Sequence, residues 1–200
     1  MNNWNQCVGR PPDRGETGNP WRTVASRRVY ENPWFSVRED QVIRPDGQEG
    51  IYGVVELPPS VGIVAVDELG RVCLVGQWRY PLGRFSWEVP TGFCGRSEDP
   101  LAAARRELEE EAGLRARSWR SLGTVDNSNA VTTDRAHLFL AMELEYVGSH
   151  PDPFERITCR LVPFDDCVQM VMDGRITDST SVAAILKAAR VLGTAEREPA

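Results

Sequence analysis

Residues 92–114, GFCGRSEDPLAAARRELEEEAGL, set a short glycine-bearing loop in front of a strong helical pattern. Asp99 can cap that helix, Pro100 suits its first position and Gly113 can end it, which predicts a helix over 100–112. On the 3.6-residue period Glu107 and Glu111 lie one turn apart on one face, with Glu110 beside them. Leu101, Ala104, Leu108 and Ala112 form the adjoining apolar stripe, and Arg105 and Glu109 point toward water. Like charges at this spacing cost a helix roughly 0.2–0.5 kcal/mol per pair. A cation offsets the repulsion, and magnesium and manganese take hard oxygen ligands of this kind. Acid triplets on helices are common, so without its surroundings the triplet reads first as a solvated acidic face.

On either side the pattern turns to strands. Residues 21–57 show short alternating runs, and Pro45-Asp46-Gly47 marks a turn between two of them. This segment is too small to hold a core alone and must pack on the next domain or on a partner subunit. SVGIVAVD and RVCLVGQW then read as two apolar strands with a hairpin-like connection at Glu68-Leu69-Gly70. FSWEVPTGF reads as a short strand running into a turn. Beyond the helix, WRSLGTV, AHLFLAMELEYV and ITCRLVPF read as strands, and FDDCVQMVMDG and TSVAAILKAARVL as closing helices. The element order implies an α/β/α arrangement around a mixed sheet.

Composition narrows the function classes. The 200 residues suit one domain with a modest extension. A formal net charge of −6 argues against a nucleic-acid surface but leaves room for a small phosphate-bearing substrate. No apolar run is long enough for a membrane span, and the first twenty residues lack a secretory h-region. Five cysteines, without a C-x-x-C pair, disfavour a disulfide framework or zinc knuckle and fit a reducing cytoplasm.

The stretch 92–114 resembles the Nudix box, G-x5-E-x7-R-E-U-x-E-E-x-G-U, where U is aliphatic. Gly92, Glu98, Arg106, Glu107, Leu108, Glu110, Glu111, Gly113 and Leu114 fill its specified positions. The resemblance implies a Nudix fold with an N-terminal β extension, and a hydrolase using Mg2+ or Mn2+. It implies Glu107 and Glu111 as metal ligands, joined by Glu110 and the backbone carbonyl of Thr91. It pairs Glu98 with Arg106 as a structural brace, with Gly92 and Gly113 shaping the box.

Other segments resemble the ADP-ribose and nucleoside diphosphate sugar pyrophosphatase branch. VVELPPSVGIVAVDELGRVCLVGQWRYP, SWEVPTG, SNAVTTDRAHLFLA and GRITDSTSVAAI carry that likeness. It implies Arg79 as a phosphate ligand and Glu88 as a sugar or base contact, or a brace for the turn. It implies Glu155 as general base, with Glu110 or Glu98 as alternatives. Trp34 becomes the candidate for stacking on the nucleobase, ahead of Trp21 and Phe35. His137 reads as packed, His150 as incidental, and Asp166 and Asp178 as helix caps or flanks. The segments expected are a flexible tail 1–20, a β segment 21–58 serving dimerisation, a Nudix domain 59–194 and a tail 195–200. The expected assembly is a homodimer, with a small nucleotide-sugar substrate and neither nucleic acid nor membrane as partner.

One departure bears on specificity. Many ADP-ribose hydrolases carry proline about sixteen residues past the box, where this chain has Ala130. That favours a broader range of sugars, including GDP-mannose. Two rival readings are a non-catalytic nucleotide-sugar sensor and a housecleaning enzyme for damaged nucleoside triphosphates.

Overall fold

The computed structural model describes residues 18–95, 97–148 and 156–195. The tail 1–17, His150, Glu155 and the last five residues lie outside them. Three strands come first: β1 (Arg22–Glu31), β2 (Ser36–Ile43) and β3 (Glu49–Glu56), forming an antiparallel sheet in the order β1-β2-β3. Every residue of β1 is exposed. The sheet is stitched to the rest by backbone pairing. Val55 N–H donates to the Val131 carbonyl at 2.9 Å, and Thr133 N–H donates to the Val55 carbonyl at 3.0 Å.

β4 (Ser60–Ala65) and β5 (Arg71–Arg79) follow. Asp67 ties their connection, its carboxylate accepting from the N–H groups of Leu69 and Arg71. The sequence suggests a hairpin here, but the strands pair only at Val66–Val72 and then part into different sheets. β6 (Arg84–Glu88) and β10 (Thr158–Pro163) flank β5, and β7 (Thr91–Phe93), β9 (Arg135–Tyr146) and β8 (Leu114–Asp126) share a mixed sheet with β4. The strands part because β4 is buried on both faces and must lie between two layers of helix, which draws it centrally, parallel to β9.

Alternation along β4 divides the core. Val61, Ile63 and Ala65 face α1 (Pro100–Ala112), packing against Ala103, Ala104 and Leu108. Val64 and Val66 face the other side, toward α2 (Phe164–Met172) and α3 (Ser179–Ala195), where Met170, Ala184, Ile185 and Ala188 lie. Burying each large aliphatic side chain contributes about 1.5–3 kcal/mol. Helices thus cover both faces of the mixed sheet, the α/β/α arrangement expected. Among the described residues no helix is long and apolar enough to cross a membrane.

Candidate active site

A cleft of about 660 Å³ opens between the end of the β5–β6 hairpin, the C-terminal half of α1 and the start of α3. Helix α1 is aimed by its ends. Asp99 accepts from the Leu101 and Ala102 N–H groups at 3.0 and 3.2 Å. Gly113 takes the left-handed conformation, φ 65°, that closes the last turn. These caps bring Glu107, Glu110 and Glu111 to the cleft wall.

The three glutamates sit at different depths. Glu111 is 3% exposed, and its Oε2 accepts the Thr91 N–H at 2.9 Å. The Thr91 hydroxyl donates to the Val61 carbonyl at 2.7 Å, tying the same residue to β4. Glu107 lies against Gly92 so closely that a β-carbon on residue 92 would overlap its carboxyl group. Glycine is therefore required there by space, because the loop backbone and the helix carboxylate meet. Glu110 is the most open of the three.

Arg106 organises this wall. Its Nε and Nη2 reach the two oxygens of Glu98, each at 3.1 Å, and Nη2 also donates to the Phe93 carbonyl at 3.0 Å. Nη1 donates to Glu107 at 2.7 Å and Glu110 at 2.8 Å. Glu98 leads the effects that hold Arg106 firmly protonated. In return Arg106, with help from the Gly95 N–H, keeps the Glu98 carboxyl below its usual range.

Opposite lies a second ion pair. Arg79 Nε approaches both Glu88 oxygens at 3.0 and 3.2 Å, and Nη2 donates to Oε2 at 2.5 Å. Glu88 is 3% exposed, and its partnership raises the Arg79 pKa. Both Glu88 oxygens are turned to Arg79. Glu88 takes the Nε–H and one Nη2–H of the five guanidinium donors, so the Nη1 group remains for an anion.

Trp34 stands apart. It is 67% exposed on the β1–β2 turn and is not in the wall of its own chain's cleft. Phe35 packs on Tyr30, with ring centroids 5.6 Å apart. His137 is half-buried in β9. Asp178 caps α3 through the Ser181 N–H at 2.7 Å, and Asp166 lies in the first turn of α2.

The far wall holds residues that sequence reading missed. Ser60, Asn127, Asp134, Ser179 and Thr180 line it, joined by hydrogen bonds from hydroxyl and amide donors. They come from three separate segments and are common polar types, so no spacing announced them.

Charge in the cleft is lopsided. Arg79, Arg84 and Arg106 face Glu88, Glu107, Glu110, Glu111, Asp134 and Asp178, three cations against six carboxylates. A diphosphate entering such a lining meets net repulsion unless further positive charge comes with it. Among the described residues no three acidic or histidine side chains converge on one point, since Arg106 draws Glu107 and Glu110 while Thr91 draws Glu111. The donors nevertheless suit hard divalent ions: all are carboxylate oxygens, one presented from a buried position.

Comparison with known proteins accords with this geometry. Residues 56–181 match the model of the NUDIX domain. The chain belongs to the Nudix family and is a Nudix hydrolase. Residues 21–55 match a second family model, the nucleoside diphosphate sugar hydrolase N-terminal domain. An ADP-ribose pyrophosphatase of Mycobacterium tuberculosis is 32% identical over 169 residues, covering 83% of this chain and 82% of the relative. A CMP-5'-(N-acetyl-N-hydroxy-3-aminopropyl)phosphonate hydrolase of Streptomyces rubellomurinus is 29% identical, covering 90% and 86%. The crystal structure of an ADP compounds hydrolase shares the fold, with a TM-score of 0.79 at 18% identity, over 89% of this chain and 97% of that one.

Proposed function

We propose that this Nudix hydrolase cleaves the diphosphate bridge of ADP-ribose or a related nucleoside diphosphate sugar, releasing a nucleoside monophosphate and a sugar phosphate. The observation that carries this reading is the placement of Glu107, Glu110 and Glu111 in one cleft with Arg79. The N-terminal family match and the ADP-ribose pyrophosphatase relative support the choice of substrate class. Ala130 in place of proline supports a tolerance that extends to GDP-mannose.

Glu107 and Glu111, with Glu110 and the Thr91 carbonyl, would hold magnesium or manganese. When bound, these ions neutralise phosphate charge and lower the pKa of the attacking water. Arg79 donates paired N–H groups to phosphate oxygens, a task for which a planar guanidinium is suited. Glu88 keeps that guanidinium turned toward the cleft. Glu155 takes the proton of the attacking water, with Glu110 as the alternative base. Water oxygen bonds to one phosphorus as the bridging P–O bond breaks. Glu98 and Arg106 brace the loop that carries Gly92.

The exposed β1–β3 sheet, with Val24, Tyr30 and Ile51 open to solvent, is the surface for a homodimer. Pairing there would carry Trp34 to the partner's cleft, where an indole can stack on a base. The cysteines described are all free, which suits a reducing cytoplasm.

The test is incubation with ADP-ribose, GDP-mannose, UDP-glucose and a nucleoside triphosphate, with products separated by chromatography. Nucleoside monophosphate and sugar phosphate from the first two support the reading. Inorganic pyrophosphate from the triphosphate alone would replace it with a housecleaning role. Tight binding of ADP-ribose without turnover would make the protein a sensor.

A further inference from the structure

Asp134 is a carboxylate in the cleft wall whose neighbours do not neutralise it. Its Oδ1 accepts the Ser60 hydroxyl at 2.9 Å, and its Oδ2 accepts an Asn127 amide hydrogen at 3.0 Å. Both donors are uncharged. The adjacent Arg135 turns away and pairs with Asp126 at 2.7 Å. Among the described residues no arginine forms an ion pair with Asp134. Each carboxylate oxygen has about two lone-pair directions, so accepting capacity remains on both.

The carboxylate is held in place rather than left to swing. Asn127 is the keystone. Its amide also donates to Thr180 at 3.1 Å, and its carbonyl oxygen accepts from Ser179 at 2.8 Å. The backbone closes behind the pair, with Asn127 N–H donating to the Asp134 carbonyl at 2.9 Å. The loop between them is fastened from outside by β3, where the Tyr52 hydroxyl donates to the Ala130 carbonyl at 2.8 Å. A rigid acceptor of this kind discriminates by hydrogen bonding.

Charge decides what it accepts. A phosphate beside Asp134 would be repelled, since among the described residues no arginine of the cleft is bonded to Asp134 to offset its charge. The complementary group is neutral and rich in O–H donors.

We propose that Asp134, held by Ser60 and Asn127, binds a sugar diol of the substrate and so sets which end of the cleft receives the diphosphate. This rests on the hydrolase reading above and adds a subsite to it. The diol could be that of the terminal sugar or of the nucleoside ribose.

Three compounds separate the sources: ADP-ribose, the β-methyl ester of ADP, and the same ester of 2',3'-dideoxy-ADP. Asp134→Ala is compared with wild type on each, with Asp134→Asn as a gentler variant and thermal melting as a fold control. A loss of kcat/KM of about tenfold or more, mostly in KM, is expected on a diol-bearing compound. Loss on ADP-ribose alone assigns the terminal sugar, and loss on methyl ADP as well assigns the nucleoside ribose. The dideoxy ester must be cleaved as by wild type. Equal loss on all three compounds, or loss on none, overturns the proposal. Should wild type cleave nothing, the hydrolase reading fails by itself. Calorimetric binding of ADP-ribose then decides the subsite: weaker binding by Asp134→Ala upholds it, and unchanged binding removes it.

Discussion

The two walls of the cleft hold their side chains by different physics. On the box wall, Arg106 gathers Glu98, Glu107 and Glu110 through charged contacts of 2.7–3.1 Å. On the far wall, Asn127 gathers Asp134, Ser179 and Thr180 through hydrogen bonds of 2.8–3.1 Å whose donors are all uncharged. Charged contacts are strong but exchangeable, since another cation can compete for the same carboxylates. Hydrogen bonds from uncharged donors to a carboxylate are weaker than ion pairs and leave its charge in place. The box wall is thus suited to chemistry on anions and the far wall to recognition of hydroxyls.

The largest break in this contrast should come from Glu111→Gln. The substitution keeps the shape and an oxygen for the Thr91 N–H but removes the buried charge. Turnover should fall about 100-fold or more while the thermal melt holds, checked by steady-state kinetics beside circular dichroism. Wild-type-like rates would take Glu111 out of the reacting centre. Gly92→Ala should come next, with about a tenfold fall in kcat/KM or more, because the added methyl must displace the Glu107 carboxyl. An unchanged rate would mean that the exact seat of Glu107 is immaterial.

A smaller effect is expected from pH. Arg106 depresses the Glu98 pKa, so their contact stabilises the fold above the ordinary glutamate pKa and is lost as pH falls through the depressed one. Wild type should therefore lose its melting advantage over Glu98→Gln on acidification from about pH 5 to pH 3. Parallel melting curves across that range would contradict the pairing. The smallest effect belongs to the far wall's outer fastening. Tyr52→Phe deletes one exposed hydroxyl and should cost about 0.5 kcal/mol in urea unfolding.

The box wall was legible in the sequence and the far wall was not, for a physical reason. Asp99, Pro100 and Gly113 mark the ends of α1 within a single stretch, and the 3.6 period then places the glutamates. The apolar runs of β4 and β5 were equally plain. Their divergence into separate sheets was not, because turn chemistry at Asp67–Gly70 specifies a tight reversal and says nothing about which neighbours each strand takes. Ser60, the Asn127–Asp134 loop and Ser179 lie far apart in sequence, and only the parallel pairing of β4 with β9 brings Ser60 beside Asp134. The Arg79–Glu88 contact likewise depends on the β5–β6 register. Trp34 carries a different lesson: an exposed aromatic at a turn is visible in sequence, but its distance from the cleft of its own chain is not.

The most direct test of the account is hydrolysis of ADP-ribose in 18O-labelled water, with magnesium or with a chelator, followed by mass spectrometry of the products. The account predicts AMP and ribose phosphate, one of them carrying a single labelled oxygen, and no products once the metal is removed. Undiminished cleavage in the chelator, or intact ADP-ribose with magnesium present, would contradict it.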